Sequence, residues 1–86
     1  MRALKQINPF GLSAVECDTL DALIAHGNDK AAARTLCIEP QTVKSRTARA
    51  REKMQVIHGS PVSRLQAAVL WDRYVQSLEQ AAGVEA

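Results

Sequence analysis

At 86 residues the chain has room for one modest domain, which buries only about 60–65% of the surface its unfolded form exposes. Apolar residues make up 47% and the aromatics are Phe10, Trp71 and Tyr74 alone; the abundance of alanine and leucine favours helices over strands. The N-terminal MRALKQINPF lacks the apolar run of a signal peptide and no stretch nears a membrane span of about 18 residues, so a cytoplasmic protein without membrane contact is expected. The formal charge of +2 conceals an uneven distribution. Between Asn28 and Met54 there are seven cations against three anions, a net of +4, and elsewhere four against six, a net of −2. Such a concentration suits one face meeting a polyanion, although basic runs are also common on solvated helices.

Residues 1–11 read as a loose lead-in, residues 12–80 as the domain and residues 81–86 as a short tail. Ser13-Ala14-Val15-Glu16 has the form of a capping box, with Leu12 and Cys17 placed as a hydrophobic staple. Leu20, Leu23 and Ile24 continue the apolar stripe of a first helix, which Gly27 ends in a left-handed conformation. Asn28 caps a short second helix, with Asp29 near its positive end. Small residues at Ala32 and Ala33 allow a neighbour close. Cys37-Ile38-Glu39 is the turn, and Pro40 opens a third helix where its missing N–H costs nothing. Ile57 to Pro61 reads as a loop. The fourth helix starts at Ser60–Pro61 by slight preference, or at Ser63 with Gln66 completing a capping box, and runs to about Gln80. Cys17 and Cys37 have no metal spacing to each other or to His26 and His58. Both read as buried, reduced thiols.

The third helix, to about Met54, carries the functional argument. Val43, Thr47, Ala50 and Met54 recur at spacings of 4, 3 and 4, which defines an inward face. The opposite face carries Gln41, Ser45, Ala48, Arg49 and Glu52, flanked by Lys44 and Arg51 on one side and Arg46 and Lys53 on the other. Small residues at its centre permit close approach to a surface while long cations reach around. Each cation taken singly has a plainer reading as a solvated charge. Together, on a helix joined by a tight turn to the one before it, they suit insertion into the major groove of double-stranded DNA, which is about 12 Å wide and admits one helix.

Leu12-Ser13-Ala14-Val15-Glu16, Leu20, Leu23-Ile24, Lys30, Ala33, Leu36, Ile38 and Thr42-Val43-Lys44 resemble the pattern of the LuxR/GerE-type helix-turn-helix domain. The resemblance covers roughly residues 12–56 and, more loosely, Val62 to Val69. The stretch Thr42 to Met54 is also similar to region 4 of sigma-70-type factors. Departures are His26 where the family has its glycine, Ala32 for an isoleucine, Glu39 for the serine that caps the recognition helix, and a longer connection between Val56 and Arg64. The resemblance and the helix geometry together imply an all-α, four-helix helix-turn-helix domain with a long C-terminal helix. They make Gln41, Lys44, Ser45, Ala48 and Arg49 base-facing. Lys44 and Arg49 suit guanine edges and Gln41 adenine. Lys30, Thr42, Arg46, Arg51 and Lys53 are the phosphate contacts.

On the fourth helix, Ala67, Ala68, Leu70, Trp71, Tyr74, Val75 and Leu78 cover more than one packing stripe. Leu70, Trp71, Tyr74, Val75 and Leu78 are accordingly expected to form a homodimer interface, as this helix does in GerE-like proteins; the alternative is that the surplus covers its own core or receives Phe10. With eleven residues ahead of the domain, a stand-alone transcriptional regulator is expected. The competing reading is a sigma-region-4-like or adaptor protein that acts by binding RNA polymerase or another regulator, with Asp18 and Asp21 as acidic contacts. The chain holds no Gly-rich phosphate loop, no metal-ligand cluster and no nucleophile paired with a base. No cofactor, metal site or enzymatic activity is therefore expected.

Overall fold

A computed structural model describes residues 8–85, with side chains placed for residues 8–80. The fold is all-α, with four helices among the described residues: α1 Ala14–His26, α2 Asp29–Leu36, α3 Pro40–His58 and α4 Arg64–Glu85. None of these is long and apolar enough to cross a membrane.

Local chemistry sets the first boundaries where the sequence places them. The Ser13 hydroxyl accepts the Glu16 amide at 3.2 Å, and Glu16 Oε1 accepts the Ser13 amide at 2.9 Å. Two of the amides that α1 cannot satisfy internally thus find partners. Gly27, at φ 82, closes α1 by donating its N–H to the Leu23 carbonyl. One residue later the Asn28 carboxamide oxygen caps α2 by accepting the Ala31 amide at 2.8 Å. Pro40 opens α3.

The structure departs from expectation at three helix ends and at Cys37. Helix α3 continues past Met54 to His58, because nothing in Gln55–His58 breaks a helix and Gly59 is the first residue to adopt the left-handed conformation, φ 80. The fourth helix starts after Ser63, not at Ser60–Pro61. Ser63 and Gln66 exchange bonds of 2.9 and 3.1 Å in a second capping box, a gain that Ser60 followed by Pro61 does not offer. That helix also runs on to Glu85 instead of stopping near Gln80, which takes up most of the expected tail. Finally, Cys37 is exposed. It occupies the left-handed position after α2, φ 58, where its N–H reaches the Arg34 carbonyl and the next amide, that of Ile38, reaches the Ala33 carbonyl at 3.0 Å. This six-to-one closure turns Ile38 inward against the core and leaves the thiol outside.

Two apolar clusters hold the helices together. The smaller joins α1, α2 and α3 through Ala22, Leu23, Ala32, Ala33 and Val43, with Leu36 and Ile38 against it. The larger joins α1, α3 and α4 through Cys17, Leu20, Ala50, Met54, Ala67 and Trp71, together with Leu12 ahead of α1 and Val62 from the α3–α4 connection. Trp71 is 0% exposed. Its indole N–H donates to Asp21 Oδ1 at 2.8 Å, which satisfies the one polar atom that a buried tryptophan carries.

The expected dimer patch is accordingly revised. Trp71 lies inside the chain's own core, Leu70, Tyr74 and Val75 pack half-buried against that core, and Leu78 is half-buried. Phe10 supplies the missing cover. Its ring centroid lies 6.4 Å from Trp71 and 6.1 Å from Tyr74. Asn8 holds it there: the Asn8 carboxamide accepts the amides of Phe10 and Leu12 and donates to the Leu12 carbonyl, at 3.0–3.1 Å. Residues 8–11 are thus a fastened turn, while the rest of the expected lead-in, residues 1–7, lies outside the described residues.

Candidate nucleic-acid interface

Helices α2 and α3 are joined by residues 37–39 alone. The inward face of α3 is the expected one, since Val43, Thr47, Ala50 and Met54 are all buried. Thr47 is tolerated there because its hydroxyl donates to the Val43 carbonyl at 2.7 Å, so no polar atom is left unpaired. With that side fixed inward, helical geometry sends the other outward. Gln41, Lys44, Ser45, Ala48 and Arg49, the five residues expected to face bases, are all exposed. The Ser45 hydroxyl folds back onto the Gln41 carbonyl at 3.1 Å. That keeps the middle of the face low, so a flat or grooved partner can approach the backbone.

The residues expected to meet phosphates divide into two groups. Lys30 is exposed, while Thr42 and Arg46 are half-buried with part of each side chain accessible. Lys53 and Arg51 are engaged within the chain. The Lys53 ammonium lies 2.7 Å from Glu16 Oε1, and the Arg51 Nε donates to the Val62 carbonyl at 3.0 Å. Beside Arg51, the Gln55 carboxamide accepts the Val62 amide at 3.1 Å. The last turns of α3 are therefore bound on both flanks, to α1 on one and to the α3–α4 connection on the other.

Glu16 is the buried member of its pair. Burial pushes its carboxyl up, but hydrogen bonds from Lys53 and Ser13, together with the Lys53 charge, outweigh that and hold it below the ordinary carboxylate value. A second ion pair fastens the other end of the domain. Arg64 at the start of α4 grips both carboxylate oxygens of Asp29 at the start of α2, a two-pronged geometry that suits a guanidinium.

Sequence reasoning passed over Arg34. It lies exposed in the last turn of α2, adjacent in sequence to the turn that leads into α3. Its place within the +4 segment, three residues before the turn, was the available signal. Glu39 holds the N-cap place of α3 through its backbone, whose carbonyl accepts the amides of Thr42 and Val43 at 3.0 and 3.3 Å. Its side chain makes no capping bond. The exposed carboxylate adds negative charge next to the basic face without a hydrogen bond to the helix it precedes. Of the two acidic residues considered for protein contacts, Asp21 is engaged by Trp71. Asp18 is half-buried on α1. Comparison with protein-family models, characterised proteins and solved structures gives no match, so the case for this face rests on its own residues and geometry.

Proposed function

We propose that this protein is a sequence-specific, DNA-binding transcriptional regulator that inserts the first turns of α3 into the major groove. The observation that carries the proposal is the orientation of α3: with Val43, Thr47, Ala50 and Met54 buried, a low, polar face bounded by Lys44 and Arg49 is left open to solvent. Lys44 and Arg49 reach guanine edges and Gln41 adenine, while Lys30, Arg34 and Arg46 meet phosphates on either side. Arg34 takes over part of the role expected of Arg51 and Lys53. The homodimer expected on the fourth helix loses Trp71 to the core and is proposed on Leu70, Tyr74, Val75 and Leu78, each of which keeps part of its surface open. The polymerase-binding alternative loses Asp21, which already serves Trp71.

The test is the dependence of DNA affinity on salt. Each phosphate neutralised contributes about −0.9 to the slope of log K against log salt, so three contacts give about −2.7. A flat response rejects the proposal.

A further inference from the structure

On α3, Thr42, Arg46, Arg49 and Lys53 follow one another at spacings of 4, 3 and 4. That spacing puts them on a single flank of the helix, so a duplex lying along the basic face would meet all four. Lys53 is the member of this row held by a carboxylate. Its ammonium is 2.7 Å from Glu16, and the two side chains are 43% and 7% exposed. The lysine is thus within reach of solvent while its partner is not. Glu16 in turn is fixed by the α1 capping box, where the same Oε1 accepts the Ser13 amide. A carboxylate that is buried and committed locally loses much when its cation leaves, since an unpaired buried charge is costly. A phosphate contact at the surface offers Lys53 less, being screened by salt.

We infer that Glu16 acts as an internal competitor for DNA phosphate: it withholds Lys53 from the interface and so limits the affinity of the basic face. This rests on the proposed DNA-binding function, and assigns to the capping box of α1 a second role in tuning that function. Affinity is set partly by a residue that never touches DNA. The bond that stabilises the fold is the one that reduces the charge available for binding.

Glu16→Gln separates the two roles. Glutamine still completes a capping box, since its amide oxygen can accept the Ser13 N–H, but it cannot hold Lys53 by charge. Binding of the full chain to a random-sequence duplex of about 20 base pairs is measured across salt for wild type, Glu16→Gln, Lys53→Gln and the double variant. The expected result is a slope steeper by about 0.9 in Glu16→Gln, one phosphate more, so that its advantage over wild type shrinks about 3.5-fold between 50 and 200 mM salt. Lys53→Gln alone leaves the wild-type slope unchanged, and the double variant returns Glu16→Gln to it. Circular dichroism confirms that the variants compared are folded. If Lys53→Gln lowers the slope by about 0.9, the ion pair opens on DNA and the inference is overturned. It also fails if Glu16→Gln, folded, keeps the wild-type slope. Absence of salt-dependent binding in wild type sinks the DNA reading itself, a different outcome from either.

Discussion

The two halves of α3 both carry cations and engage them in opposite ways. From Pro40 to Arg49 the helix carries Lys44, Arg46 and Arg49, with none of the three in an ion pair or a side-chain hydrogen bond among the described residues. From Arg51 to His58 it carries Arg51 and Lys53, one bonded to the α3–α4 connection and the other to α1. A count of positive charge along the helix does not separate them. What separates them is what the rest of the fold presents: the larger core gathers around Met54 and Ala50, and partners for the polar flanks come with it. The basic face is therefore a property of the first half, and the second half anchors it.

The largest effect expected from this division is on stability. Met54 is fully buried among the residues that join α3 to α1 and α4, so Met54→Ala should cost about 2–5 kcal/mol of folding free energy. Urea denaturation followed by circular dichroism measures it. A loss below about 1 kcal/mol would mean that the second half of α3 does not anchor the helix.

Next come the exposed residues of the first half, where the expected effect falls on binding instead of stability. Lys44→Ala and Arg49→Ala should leave stability within about 0.5 kcal/mol, as solvated positions generally do. Each should weaken binding to a selected DNA site by about 1–3 kcal/mol and relax the preference at one base pair. Equal losses on selected and random DNA would place these side chains on phosphates. A loss of stability instead of binding would dissolve the distinction between the halves.

That distinction was only partly legible in the sequence. The inward face of α3 was, because a helical period written in Val43, Thr47, Ala50 and Met54 has one solution. So was the start of α1, where Ser13 and Glu16 are three residues apart and bond locally. The partner of Lys53 was not: Glu16 lies 37 positions away, and its carboxylate already had a satisfactory local use. Spacing reports short-range partners, whereas long-range ones depend on how helices dock. The burial of Trp71 was hidden for a related reason. A wide apolar stripe on α4 shows that cover is needed without saying which chain supplies it. The missed signal was Asn8-Pro9, a turn-forming pair that fastens Phe10 over the tryptophan. The exposure of Cys37 is not legible because left-handed helix ends are usually written as glycine or asparagine, and the turn contains neither.

A smaller effect concerns acid. Glu16 titrates below its ordinary value in the folded chain, so folding favours its charged form. The stability this contributes is fully present above the unfolded-state value and is lost as pH falls through the lower, folded-state one. The urea midpoint of wild type should therefore drop on acidification through the carboxylate range. That of Glu16→Gln should drop less, starting from a lower neutral-pH value. Parallel curves for the two proteins would show that the Lys53 pair contributes nothing to the anchoring of α3.

The smallest expected change tests the boundary at which the basic half begins. Glu39 occupies the N-cap of α3 without capping it, and helix N-termini favour a short oxygen-bearing side chain that accepts an amide of the first turn. Serine has that reach, so Glu39→Ser should raise stability by about 0.5–1 kcal/mol. The same substitution removes a carboxylate from the edge of the proposed interface, and affinity for DNA of any sequence should rise with it, most at low salt where charges are least screened. The two gains have separate causes and can be told apart. Glu39→Gln removes the charge but is no better a cap, so it should reproduce the gain in binding without the gain in stability. If Glu39→Gln leaves binding unchanged at low salt, Glu39 lies beyond the reach of the phosphates, and the leading edge of the interface must be drawn inside Gln41.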